Sequence, residues 1–212
     1  MIGEDYHLWF EQNRIWEKCR WLGMPAWKLP NDILILQEII FDTQPDLIIE
    51  TGTAHGGSAL FYASILELLG HGNVITVEKN PQKRDLPLVT NIRRIIYDRI
   101  HFVDGDSIDD KTFKRIAFLA MSKKVMVILD SDHRKEHVLN EMELYGKLVS
   151  KDCYMVVEDT HSNGHPIPWE YGDGPWEAVE EYLKTHDEFV VDETREKFGM
   201  SFNINGHLLR VK

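Results

Sequence analysis

From about Asp46 to Asp192 the chain alternates short apolar runs with amphipathic stretches. Strands are predicted at Asp46–Glu50, Asn73–Glu78, Ile100–Val103, Val125–Asp130, Tyr154–Glu158 and Glu188–Val191. Their Val, Ile and Leu content, with little polar alternation, is that of a parallel sheet covered on both faces. Helical periodicity fills the gaps at Gly57–Leu69, Asp109–Met121, Arg134–Val149 and Pro175–Thr185, the last opened by a proline suited to a first turn. Near the end, Ser201–Ile204 and His207–Val211 flank Asn205-Gly206, a strong hairpin signal, so an antiparallel ending is expected. Ahead of the sheet, Tyr6–Trp21 and Asp32–Phe41 are predicted as helices joined by a Pro- and Trp-containing segment. Trp9, Trp16, Trp21 and Trp27 are expected mainly to pack on the core, with a substrate pocket or a subunit contact as the other reading.

No linker, repeat or low-complexity tract interrupts the pattern, so one α/β domain over residues 1–212 is expected, with a helical cover over 1–44 and the α/β core over 45–212. The longest apolar runs, such as Val125–Leu129, fall far short of the ~20 residues that span a bilayer. Thirty-five acidic against 24 basic residues give a formal charge of −11, which argues against nucleic acid as a partner. The two cysteines, Cys19 and Cys153, and the acidic first residues without a signal-peptide order point to the cytoplasm.

The strand ending at Glu50 runs into Gly52, Gly56 and Gly57 and then a helix, a cradle in which backbone can approach a ligand. Three residues separate Gly52 from Gly56, which disfavours the G-x-G-x-x-G dinucleotide fingerprint. Glu78 ends the next strand, 26 positions after Gly52, where a carboxylate can accept two ribose hydroxyls. Asp106 and Ser107 follow the third strand and are expected at the same crevice, with a helix cap for Asp109 onward as the plainer alternative.

The fourth and fifth strands end in Asp130-Ser-Asp-His133 and Glu158-Asp-Thr-His161. Carboxylates gathered on one rim repel unless a cation compensates, and an oxygen-rich set suits magnesium, calcium or manganese. His133 is the candidate base, since neutral imidazole can take a proton from a substrate hydroxyl; capping of the following helix by Asp132 and His133 is the alternative. His161 and His165 are weighed as further ligands. The 15-residue connection Thr160–Gly174 is expected either to act as a lid bringing Trp169 and Tyr171 to substrate or simply to pack as a loop.

Several motifs together resemble the cephalosporin hydroxylase family and its rhamnosyl and macrolide-sugar O-methyltransferase relatives: ETGTAHGGS at Glu50–Ser58, LDSDH at Leu129–His133, VVEDT at Val156–Thr160, NGHP at Asn163–Pro166 and GPWEAVEEYL at Gly174–Leu183. The resemblance implies a Rossmann-like class I methyltransferase fold: a mostly parallel seven-stranded sheet, helices on both faces and an antiparallel C-terminal hairpin. It implies S-adenosylmethionine bound by Glu50, Gly52, Thr53, Ala54, Ser58, Glu78, Asp106, Ser107 and Asp130. Magnesium, or manganese, would be held by Asp130, Glu158 and Asp159, with Asp132 within reach as a substitute for Asp130, and His133 would be the base. The expected reaction is metal-assisted O-methylation of a hydroxyl on a sugar or glycosylated natural product, by a homo-oligomer. Two other classes stay open: an iron-dependent hydroxylase, for which His186-Asp-Glu188 with His207 is a poor match, and a non-catalytic binding module of the same fold.

Overall fold

The computed structural model describes residues 2–81, 94–168 and 172–212, with side chains from residue 5 onward. Helix α1 (Ile2–Gln12) leads through a 3-10 turn, Ile15–Lys18, into a small hairpin, β1 (Arg20–Trp21) with β2 (Met24–Pro25). The chain continues through α2 (Pro30–Thr43), β3 (Leu47–Thr51), α3 (Gly57–Leu69), β4 (Asn73–Glu78), the short α4 (Arg94–Tyr97) and β5 (Ile100–Asp104). It then forms α5 (Asp110–Ala120), β6 (Val125–Leu129), α6 (Lys135–Tyr145), β7 (Tyr154–Val157), α7 (Pro175–Tyr182), β8 (Phe189–Val191) and β9 (His207–Arg210).

The sheet order is β5-β4-β3-β6-β7-β9-β8. The first five strands are parallel, and β9 runs antiparallel to both β7 and β8. Successive residues of the central strands serve opposite faces, as period-2 geometry demands. Leu47, Ile49, Val125, Val127 and Leu129 pack in one core cluster, with α5, α6 and α7. Ile48, Met126 and Ile128 pack in the other, with α2 and α3. Both faces of β3 and β6 are buried, so the sequence shows unbroken apolar runs. Strand order reverses beside β3, because its own crossover leads to β4 while the return from β5 places β6 on its other side. A crevice therefore opens at the carboxyl ends of β3 and β6.

Three expectations are corrected. The first predicted helix stops at Gln12; Arg14 adopts a left-handed φ of 48°, and Leu22 (48°) with Gly23 (89°) turns β1 back on β2. The helix from Arg134 ends at Tyr145, where a 3-10 turn takes over. The antiparallel ending exists, but the partner of β9 is β8 rather than Ser201–Ile204. Residues 201–204 are held instead by the N-terminal cover: the Asp32 carboxylate accepts from the Ser201 hydroxyl at 2.7 Å and the Phe202 N–H at 2.8 Å.

On β9, His207 is fully buried and neither ring nitrogen has a hydrogen-bond partner. Burial lowers its imidazole to about 4. The unfolded chain takes up this proton near pH 6.5 and the fold does not, so stability falls as pH drops from about 6.5 toward 4. Buried His7, also lowered to about 4 chiefly by burial, acts in the same sense. His207→Leu is expected to shrink the stability difference between pH 7.5 and pH 4.5 by about 2–3 kcal/mol. Urea denaturation at both pH values measures it, and an unchanged difference counts against a neutral buried His207.

Candidate active site

The carboxyl ends of five parallel strands meet one cleft of about 470 Å³. Gly52, Thr53, Ala54 and Ser58 line it from β3 and the start of α3, Glu78 from β4, Asp106 and Ser107 from β5, Asp130 and His133 from β6, and Asp159 from β7. Of the residues assigned from the sequence to cofactor, metal and base, all but two thus share one cavity. Glu50 and Glu158 stand behind it, and both are buried.

The glycine loop follows from local sterics. Gly52 has φ +85°, and a Cβ there would lie 1.8 Å from the Asp130 carbonyl oxygen. Its glycine lets β3 and β6 close on each other, a different role from giving a ligand access to backbone. Gly57 likewise lies against Pro25, where a Cβ would meet the carbonyl oxygen at 2.0 Å. Glu78 braces the loop, accepting from Ala54 N–H at 3.0 Å and Asn80 N–H at 2.6 Å. Beneath it, Glu50 Oε2 accepts from the Thr76 hydroxyl at 2.5 Å, and Thr76 bonds Thr53 Oγ1 at 2.7 Å. Burial pushes the Glu50 carboxyl up to about 7.

The β5 end faces the start of α6. His137 Nε2 lies 3.2 Å from the Ser107 hydroxyl and 3.1 Å from that of Ser131, while Ser131 donates to Glu141 Oε1 at 2.7 Å. Asp106 takes Lys79 Nζ at 2.6 Å, and the cap of α5 is Asp109, which accepts from Thr112 N–H. Asp106 and Ser107 are therefore left to the cleft and do not cap the helix. On the opposite side, Trp16, Trp27 and His55 form an aromatic wall, with Trp27 edge-on to both partners at centroid distances of 5.4 and 4.8 Å. Trp21 packs against Phe61 and belongs to the core; Trp9 is half exposed and stacks on Tyr6.

At the β6 and β7 ends, His133 Nδ1 is 3.1 Å from Asp159 Oδ2 and its Nε2 is 3.6 Å from Asp130 Oδ1. Burial works to lower this imidazole, but Asp159 and Asp130 outweigh it and hold it at about 9. In this arrangement the ring is a cation at neutral pH, so the expected neutral base requires its carboxylate partners to be engaged elsewhere. Asp159 itself sits at φ 58°, a left-handed geometry that turns its carboxylate toward the cleft edge. Asp132 is drawn away by Arg134, which holds its carboxyl at about 2.

Lys28, which no sequence motif flagged, enters the same cluster. Its Nζ donates to Asp130 Oδ2 at 2.7 Å and to Glu158 Oε2 at 2.5 Å, and its side chain is 2% exposed. Burial opposes the charge, but Asp130 and Glu158 keep the ammonium well above the usual lysine range. The only hint in the sequence is one ionisable group within Ala26-Trp-Lys-Leu-Pro30.

A divalent cation fits this donor set. Ligand atoms of Asp130, His133 and Asp159 all lie within 4.8 Å of one another, the one such group of three among the described residues. Glu158 Oε1, on the residue next to Asp159, is buried without a hydrogen-bond partner and offers a third oxygen. His161 is held by Phe202, its Nδ1 lying 3.1 Å from the carbonyl, and His165 by Glu177 at 3.0 Å. No comparable group forms around His186, which stacks on Tyr182, or around His207. Trp169 and Tyr171 lie outside the described residues.

Comparison with known proteins agrees with this architecture. The family described as Rhamnosyl O-methyltransferase/CmcI matches residues 13–211. A rhamnosyl O-methyltransferase of Mycobacterium tuberculosis is 38% identical over 99% of this chain and 85% of its own length. One from Mycobacterium leprae is 36% identical over 99% of this chain and 90% of its own. A CmcI structure with Mg and SAM superposes with a TM-score of 0.69 at 19% identity, over 92% of this chain and 78% of that one, which shows the shared fold. The chain belongs to the rhamnosyl O-methyltransferase/CmcI family and is an S-adenosylmethionine-dependent O-methyltransferase.

Proposed function

We propose that this protein methylates a hydroxyl of a rhamnosyl-type sugar at a divalent-metal site formed by Asp130, Glu158 and Asp159, with His133 beside them as the base. The observation that carries this reading is the joint lining of one cleft by the glycine loop, Glu78 and the Asp130–His133–Asp159 group. The curated relatives at 36–38% identity are rhamnosyl O-methyltransferases, which supports the acceptor class.

In this reading Gly52, Thr53, Ala54 and Ser58 hold the methionine part of S-adenosylmethionine, with buried Glu50 fixing the loop from below through Thr76 and Thr53. Glu78 accepts from the ribose hydroxyls, and Asp106 and Ser107 border the base. S-adenosylmethionine supplies a methyl group on a sulfonium, and magnesium or manganese, when bound, lowers the pKa of a hydroxyl oxygen. His133 takes the hydroxyl proton at a ring nitrogen, and its two neighbouring carboxylates orient the ring. Trp16, Trp27 and His55 offer apolar faces to the sugar and exclude water from the reacting oxygen. Among the described residues no helix is long and apolar enough to cross a membrane, and both Cys19 and Cys153 are free thiols, in line with a reducing compartment.

Glu78→Gln tests the cofactor half. Losing charge-assisted acceptance is expected to weaken S-adenosylhomocysteine binding about 10–100-fold. Calorimetric titration of wild type and variant measures it, with thermal melts to verify the fold. Equal affinities would remove Glu78 from the ribose and reopen where the cofactor lies.

A further inference from the structure

We infer that Lys28 is a built-in counter-charge of the metal site, which sets how tightly and with what charge the carboxylate cluster takes a cation. The inference rests on the metal reading above and adds a residue from the N-terminal cover that no motif of the α/β core contains.

Asp130, Glu158 and Asp159 bring three carboxylates to two adjacent strand ends. The Lys28 ammonium is bonded to one oxygen each of Asp130 and Glu158. Of these two only Asp130 also approaches His133, turning Oδ1 to the ring while Oδ2 faces Lys28, and Asp159 presents its Oδ2 to the ring. Asp130 is thus split between two partners, the ammonium at Oδ2 and the imidazole at Oδ1, and all three side chains line the cleft. Once the imidazole is neutral, three ionised carboxylates and one ammonium carry a formal charge of −2, which a divalent ion balances.

The Lys28 backbone is fixed where it enters the site. Its backbone N–H donates to the Ala26 carbonyl at 2.8 Å, and Pro25 packs against Gly57 so closely that a Cβ there would collide. Pro30 then opens α2. The ammonium, 2% exposed and paired with both carboxylates, therefore stands beside any ion bound at Asp130. Like charges at such distances repel strongly where solvent is excluded, so the lysine lowers affinity for the ion while keeping the carboxylates together in its absence.

The test is titration of full-length wild type, Lys28→Met and Lys28→Arg with Mn2+ alone at fixed pH, by calorimetry and by the electron paramagnetic resonance of free Mn2+, with thermal melts in the presence and absence of the ion. Lys28→Met is expected to bind Mn2+ at least tenfold more tightly than wild type. Without the ion it is expected to melt lower by about 5 °C or more, and the ion is expected to raise its melting temperature further than that of wild type. Lys28→Arg keeps the charge and should stay within about threefold of wild-type affinity. The double variant Lys28→Met, Glu158→Gln, which removes one charge of each sign, should return toward wild-type affinity and keeps the test informative if the single variant folds poorly. Mn2+ binding by wild type, with folded Lys28→Met binding equally or more weakly, overturns the counter-charge while leaving the metal reading intact. Failure of every protein to bind Mn2+ overturns both.

Discussion

Replacing His133 by alanine is expected to reduce methyl transfer by about 10²–10⁴-fold, the usual worth of a positioned proton acceptor. Binding of S-adenosylhomocysteine should stay within about threefold, because the proposed cofactor residues other than Asp130 lie at the β3, β4 and β5 ends and His133 at the β6 end. The pH profile separates a base from a packing role. Burial favours the neutral ring, yet Asp159 and Asp130 raise it to about 9, so the proton is lost only as pH rises toward that value or as the carboxylates are taken up by a cation. The wild-type rate should therefore climb with pH along a limb governed by His133, and the residual rate of His133→Ala should lack that limb. Single-turnover rates from pH 6 to 10 measure this. A variant with full activity, or with the same limb, would take the proton-transfer role away from His133.

Much of the arrangement was legible in the sequence, for identifiable reasons. The strands of a parallel sheet buried on both faces advertise themselves as apolar runs, so Asn73–Glu78 was read to the residue and Val125–Leu129 to within one. The parallel topology then forces strand ends onto one edge, which is why Glu78, Asp106, Asp130, His133 and Asp159 could be assigned to a single crevice from their positions alone. What the residue pattern did not carry was anything settled by contacts distant in sequence. Lys28 reaches Asp130 across 102 positions and Glu158 across 130, and no periodicity encodes such a meeting. The Asn205-Gly206 turn was read correctly as a turn, with Asn205 at φ 57°, but Asp32 captures the strand expected before it. The glycine loop was located correctly while its reason was only partly foreseen. Gly52 and Gly57 are glycines because the Asp130 and Pro25 carbonyls leave no room for a side chain.

The cleft joins the proposed cofactor cradle, an aromatic wall and a carboxylate–imidazole group that fits a divalent ion, and each part has a separate physical basis. Their combination predicts an enzyme whose chemistry depends on the ion while its fold does not, since the Lys28 ammonium already bridges Asp130 and Glu158. Metal removal should therefore abolish turnover without unfolding the chain. The direct measurement is transfer of an isotopically labelled methyl group from S-adenosylmethionine to a rhamnosyl glycoside, followed in magnesium, in a chelator, and in chelator with magnesium restored. The expected result is a methylated rhamnoside in the first and third conditions and a rate at least about 100-fold lower in the second, with an unchanged circular dichroism spectrum. Undiminished transfer in the chelator, or no transfer to any rhamnoside with the ion present, would contradict metal-assisted sugar methylation in this cleft.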